Sequence, residues 1–197
     1  MADIQEIEEL VQRLHRCFEV HTASVGIPSR SVLHPPAAKA KLGAADSRFR
    51  AFPPSYQSFL SLHNGWEGFE MVSTLIGVDG EHTDKALVDI GQTIDTYRKR
   101  WAERFGSPTE ASIAAFEADA DLGRKTELDS GIYLPNMLVF GTDFAGKLYY
   151  FYPPSRNDVG EMTVVTRNIY GKFIRQDEDF PHFLKARIEI RERAVQS

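Results

Sequence analysis

The hydrophobic period of the chain changes near Tyr133, and that change limits the folds open to it. Beyond it, "MLVFG" (137–141), "KLYYFY" (147–152) and "EMTVVTR" (161–167) are short runs of aromatic and β-branched residues. They are separated by "TDFAG" and "PPSRNDVG", which are rich in turn formers. Such runs suit a pleated strand, and their spacing predicts a meander of antiparallel strands. Before Tyr133 the period is mostly helical. Ile4, Ile7, Val11, Leu14 and Phe18 predict a helix over 3–20, with Leu10 and Cys17 widening its apolar stripe. "AFPPSYQSFLSLHNGW" (51–66) predicts a second, opened by its prolines and closed by Asn64-Gly65. Ile90, Ile94, Tyr97, Trp101 and Phe105 predict a long helix over 84–105. "SPTE" (107–110) is a capping-box signature and should start another, running to about Glu117. "AAKAKLGAAD" (37–46) favours a short helix, "MVSTLIGVDG" (71–80) a strand with a turn at Asp79-Gly80, and "DEDFPHFLKARIEI" (177–190) a closing helix. Helices first and strands last predict an α+β fold: one domain over 1–197, its core about 36–190, with a small antiparallel meander packed against several helices.

A chain of 197 residues is long enough for one self-sufficient core. The net charge of -5 argues against a general nucleic-acid binder, which carries a basic face. It suits a basic partner. The single cysteine, Cys17, excludes a disulfide framework within one chain. The acidic start "MADIQEIEEL" is unlike a signal peptide, and no apolar run approaches the ~20 residues of a membrane span. A cytoplasmic protein with no membrane partner is expected.

"GTDFAGKL" (141–148) nearly spells a phosphate-binding loop, but two features disqualify it. Leu148 stands where a hydroxyl would hold magnesium, and an aromatic strand follows where a helix N-terminus is needed. It reads as a hairpin with Asp143 and Gly146 in the turn. "DADLGRKTELDS" (119–130) has Asp119 and Asp121 at calcium-loop spacing, but Gly123 takes a ligand position and Ser130 replaces the closing glutamate. It reads as a solvated acidic loop. Cys17 and His21 could touch on one helix, yet Cys17 adjoins the apolar stripe and reads as a core residue. Glu81, His82 and Asp84 read as a charged helix start rather than a metal cluster. "YRKRWAERF" (97–105) reads as an aromatic core stripe with Arg98, Lys99 and Arg104 on the solvated faces. No complete catalytic motif is present, so no enzyme is expected, and no catalytic, cofactor or metal residue is assigned.

Two stretches together resemble the signatures of the SUKH superfamily. In "AFPPSYQSFLSLHNGW", Pro54, Tyr56, Phe59, Leu60, Asn64 and Gly65 match its proline–tyrosine helix ending in Asn-Gly. In "LVFGTDFAGKLYYFYPP", Gly141, Asp143, Gly146 and Tyr150 match its strand–turn–aromatic-strand motif. The resemblance spans roughly residues 36–190; Trp66 and the long helical insert of about 84–130 depart from the pattern. It implies an α+β domain with a non-enzymatic role. Many bacterial members are immunity proteins that neutralise a cognate polymorphic toxin, and others are regulators or scaffolds of the cell-wall assembly regulator type. The expected partner is therefore a toxin domain, such as a basic nuclease. Glu67, Glu70, Asp79, Glu81 and Asp84, clustered after the Asn-Gly turn, are the candidate contacts. On the alternative reading, Trp66, Tyr149 and Tyr152 would line a pocket for a peptide or small ligand.

Overall fold

The computed structural model describes residues 4–24, 26, 30–37, 50–118, 132–143, 145–168 and 173–196. Seven strands lie in sequence order, each antiparallel to the next: β1 Val32–Leu33, β2 Trp66–Phe69, β3 Ser73–Leu75, β4 Leu138–Asp143, β5 Leu148–Phe151, β6 Val164–Arg167 and β7 Phe173–Asp177. The described helices are α1 Ile4–Ser24, α2 Pro54–Leu62, α3 Glu81–Phe105, α4 Glu110–Ala118 and α5 Phe180–Gln196. The chain is α+β, with the antiparallel meander expected after Tyr133 at its centre. The sheet is larger than expected because β1, β2 and β7 extend it.

The strand expected within 71–80 is β3, Ser73–Leu75, and a further strand, β2, precedes it across a tight turn. Glu70 and Met71 form that turn with φ of 48° and 78°, a conformation that side chains rarely adopt. Gly68 gives β2 a bulge where the chain passes the backbone of Arg30: a Cβ there would lie 2.3 Å from the Arg30 carbonyl oxygen. The helix expected over 84–105 starts at Glu81 instead. The alanine-rich helix expected after Ala37 and the acidic stretch 119–131 lie outside the described residues.

α1, α2 and α5 pack together on one face of the sheet, and α3 lies against β3 and β4 on the other. Between α2, α5 and the sheet sits an aromatic core: Tyr56, Phe59, Phe140, Phe151, Phe180 and Phe183 are all fully buried. Their rings meet edge-on or stacked, as Tyr56 and Phe180 do at 5.1 Å and 89°. Each such side chain contributes roughly 1.5–3 kcal/mol by burial. A second aromatic group, Tyr97, Trp101, Phe105, Phe116 and Tyr133, ties α4 and the start of the 132–143 segment to α3. Arg98, Lys99 and Arg104 are exposed, so "YRKRWAERF" is a core stripe with a solvated back.

Two helix starts show how side chains complete the backbone. At α2, Pro53 and Pro54 set the helical entry but supply no side-chain cap. Buried Glu161 reaches over from the β5–β6 connection. Its Oε1 accepts the Ser55 backbone N–H at 2.9 Å and its Oε2 accepts the Ser55 hydroxyl at 2.5 Å. A carboxylate there satisfies an otherwise orphaned donor and complements the helix dipole. At α4 the expected box of Ser107 and Glu110 is displaced by two residues. Thr109 Oγ1 accepts the Ser112 N–H at 3.1 Å, and Ser112 Oγ accepts the Thr109 N–H at 2.9 Å.

Candidate functional site

Asn64 organises one end of the sheet. Its Oδ1 accepts the Val78 N–H at 2.7 Å, and its Nδ2 donates to Asp79 Oδ1 at 2.6 Å and to the Asp79 carbonyl at 3.1 Å. Its backbone carbonyl accepts the His82 Nε2–H at 2.8 Å. The chain must pass close by, so Gly65 and Gly77 are required. Gly65 has φ of 95°, and a Cβ on it would lie 2.7 Å from His82 Nε2 and 2.8 Å from the Leu75 carbonyl. A Cβ on Gly77 would lie 2.3 Å from the Asn64 carbonyl oxygen. The Tyr56 hydroxyl reaches the carbonyls of Ile76 at 2.7 Å and Phe140 at 3.2 Å, joining α2 to the end of β3 and to β4.

The second signature closes the neighbouring hairpin. Asp143 Oδ1 accepts the N–H groups of Ala145 and Lys147, both at 2.9 Å, and Gly146 takes φ of 89°. This Asx-type turn is the hairpin expected of "GTDFAGK". Gly141 leaves room for Leu75 and Tyr149, which a Cβ would meet at 2.8 and 3.0 Å. Tyr150 is buried and its hydroxyl accepts the Arg167 Nε–H at 2.9 Å. The matched residues Pro54, Phe59 and Leu60 set the α2 start and its buried face.

Between the start of α3 and the β1–β3 end of the sheet lies a groove of about 250 Å³. Glu67, Thr74 and Thr142 stand in one cross-strand row and line it. His82, Lys85, Ala86 and Asp89 of α3 form one wall. Arg30, Met71, Val72 and Asp143 complete it. Arg30, Lys85 and Asp89 have no side-chain hydrogen bond or ion pair among the described residues. The groove therefore offers charges of both signs beside the apolar surface of Met71, Val72 and Ala86.

The five candidate contact carboxylates separate into two groups. Glu67, Glu81 and Asp84 are exposed, and Asp79 is half-buried beside Asn64. Glu67 and Asp79 both act electrostatically on His82. Glu70 is not a rim residue; its side chain is only 10% exposed. Its Oε2 accepts Lys147 Nζ at 2.6 Å and the Tyr149 hydroxyl at 2.5 Å, and Arg187 Nη1 stands 3.3 Å from Oε1. Burial pushes the Glu70 carboxyl up. Arg187, Lys147 and the hydrogen bonds from Lys147 and Tyr149 outweigh it and hold the group below its ordinary value. Tyr149 is driven well above the usual phenol value by burial and by the Glu70 charge. The cluster ties the β2–β3 turn to β5 and α5.

Trp66 and Tyr149 are fully buried in the core and Tyr152 is partly buried; none of the three lines the groove described above. Burial raises the Cys17 thiol, with Glu192 adding to it, so the environment does not activate it as a nucleophile. Among the described residues, no group of three or more His, Cys, Asp or Glu side chains is placed to hold a metal ion. Among them too, no helix is long and apolar enough to cross a membrane. Sequence reasoning missed Arg30, His34, Lys85 and Asp89, which carry no motif. Only the i,i+4 spacing of Lys85 and Asp89 hinted at a shared helix face. Compared with protein-family models and with curated proteins, the chain matches none.

Proposed function

We propose that this chain is a cytoplasmic, non-enzymatic binding protein of the immunity type, which neutralises a toxin domain by direct contact. The observation that carries this reading is the placement of Glu67, Asp79, Glu81 and Asp84 on one end of the molecule. Glu67 lines the groove, and Asp79, Glu81 and Asp84 lie on the adjoining turn and first turn of α3, where Asn64, Gly65 and Gly77 fix the backbone. A rigid rim with net negative charge suits a basic partner such as a nuclease cleft, because pre-organised charge speeds encounter and rejects wrong partners. The test is co-expression with the toxin encoded beside the gene. Restored growth together with a co-purifying complex is the expected result; neither rescue nor binding would remove the reading.

A second reading is favoured by the groove itself, where Arg30, Lys85 and Asp89, without a side-chain partner among the described residues, flank apolar surface. On it, the chain is a regulatory or scaffold module that takes a small ligand there. A gene placed beside cell-wall synthesis genes, far from any toxin, would select it.

A further inference from the structure

His34 and His82 lie flat against each other above the Asn64-Gly65 turn. Their ring centroids are 3.7 Å apart and their planes differ by 5°. The two residues come from different elements: His34 directly follows β1, and His82 is on the first turn of α3. The hydrogen bonds settle one tautomer. The Asn64 carbonyl can only accept, so His82 Nε2 carries the proton of that 2.8 Å bond. His34 Nε2 is buried with no hydrogen-bond partner among the described residues, 3.5 Å from Glu67 Oε2.

β1 is the short edge of the sheet. It is a two-residue edge strand, paired only through Val32↔Glu67 and Leu33↔Trp66. The flanking backbone bonds are long: His34 N–H to the Gly65 carbonyl, and Asn64 N–H shared between the His34 and Pro35 carbonyls, each at 3.2 Å. Side-chain bonds assist, from Trp66 Nε1–H to Ser31 Oγ at 2.8 Å, between His15 Nε2 and the Ser31 carbonyl at 3.3 Å, and between the His63 ring and the His34 backbone. The histidine stack joins segment 30–37 to the first turn of α3.

We propose that the His34–His82 pair is a proton-operated latch: with at most one proton the stack holds β1 in the sheet, and a second proton releases it. A single added proton leaves a cation stacked on a neutral ring, with the Glu67 carboxylate 3.5 Å from His34 Nε2. A second puts two cations 3.7 Å apart, a repulsion several times thermal energy near a protein surface. The charged and titratable groups around the pair are Glu67 on β2, Asp79 before α3, and His63 after α2, whose ring bonds to the His34 backbone. Arg30, Lys85, Asp89 and Asp143 line the same groove. Burial, with His34 acting the same way, lowers the value for His82 against the opposing pull of the Asn64 carbonyl, Glu67 and Asp79. The stack is therefore intact above the ordinary imidazole range and fails as pH falls below it. Release bares the backbone edge of β2, a template for strand addition by a partner.

Trp66 reports the event, being fully buried and bonded to Ser31. The other tryptophan, Trp101, is in the α3–α4 aromatic group, where its Nε1 has no hydrogen-bond partner among the described residues. In a Trp101→Phe background, the Trp66 emission maximum is followed from about pH 8 to about pH 5, across the histidine range. The expected result is a red shift on acidification that is lost when His34→Gln and His82→Gln are added. Nuclear magnetic resonance of the unaltered chain gives a second readout. There the two ring Cε1–H signals should titrate as a coupled pair in two steps. Independent single-proton curves with a constant emission maximum would overturn the latch. So would a red shift that persists in the double variant and disappears with His15→Gln or His63→Gln.

Discussion

At the scale of single residues, Asn64 and Glu70 carry the largest local consequences. Three side-chain bonds of Asn64 hold Val78 and Asp79, and its carbonyl holds His82. Asn64→Ala leaves the Val78 N–H in a partly buried site with no partner, a loss of about 2–3 kcal/mol. Urea unfolding should show the midpoint falling at unchanged slope. Glu70→Ala strands Arg187 and Lys147 with no carboxylate between them. Removing one partner of a buried charge cluster costs roughly 3–5 kcal/mol, and the same unfolding measurement reads it. The pH dependence has a definite sign. The Glu70 carboxyl is depressed in the folded chain, so its contribution is complete above the unfolded carboxylate value of about 4.3. It is lost as pH falls through the lower folded value. Acid unfolding curves of the chain and of Glu70→Ala should therefore converge at low pH. Curves that stay parallel to the acid limit would show that Glu70 is not ionised in the fold.

At the scale of elements, α2 depends on a residue far along the chain. Glu161 supplies the acceptor that Pro53 cannot, and Glu161→Ala is expected to cost about 1–2 kcal/mol, read as a lower thermal midpoint. Ser55→Ala, which keeps the backbone bond, should cost less. What the sequence discloses about elements follows from how local their causes are. α1, α3 and α5 are legible because their apolar stripes repeat over several turns. β4 to β6 are legible because turn formers bracket aromatic runs. β2 is hidden: Gly65 reads as the end of a helix, and the bulge at Gly68 breaks the alternation. β1, two residues long, is a strand only because β2 lies beside it. In "SPTEAS" two capping boxes overlap, and the chain uses Thr109 with Ser112. The site divides the same way. Exposed Glu67, Glu81 and Asp84 could be anticipated from composition and position. The inward turn of Glu70 could not, since Lys147, Tyr149 and Arg187 meet it only in three dimensions.

At the scale of the whole molecule, a net charge of -5 is modest, so its distribution decides what it can do. The acidic rim stands at one end of the sheet, beside the start of α3, while α5 lies across the sheet with exposed Arg193 near its end. If a basic partner docks at the rim, charge reversal there must act mainly on association. Glu67→Lys combined with Asp84→Lys should slow the association rate about ten-fold or more at low salt and flatten its salt dependence. Dissociation should change little, because rim charges contribute less to the desolvated centre of an interface. Glu67 stands beside His34 and Asp84 lies in the first turn of α3, so a urea unfolding curve of the pair variant accompanies the rate measurement and separates loss of folding from loss of steering. Arg193→Glu is the control, since it alters net charge on the far side and should leave the rate nearly unchanged. Surface plasmon resonance against the captured partner at two salt concentrations separates these outcomes. Faster association of Arg193→Glu, which makes the chain more negative, alongside slowing by the rim pair would mean that total charge alone matters. An unaltered rate in the rim pair would place the contact elsewhere on the molecule, and the proton-sensitive edge of β2 would then be the next surface to probe.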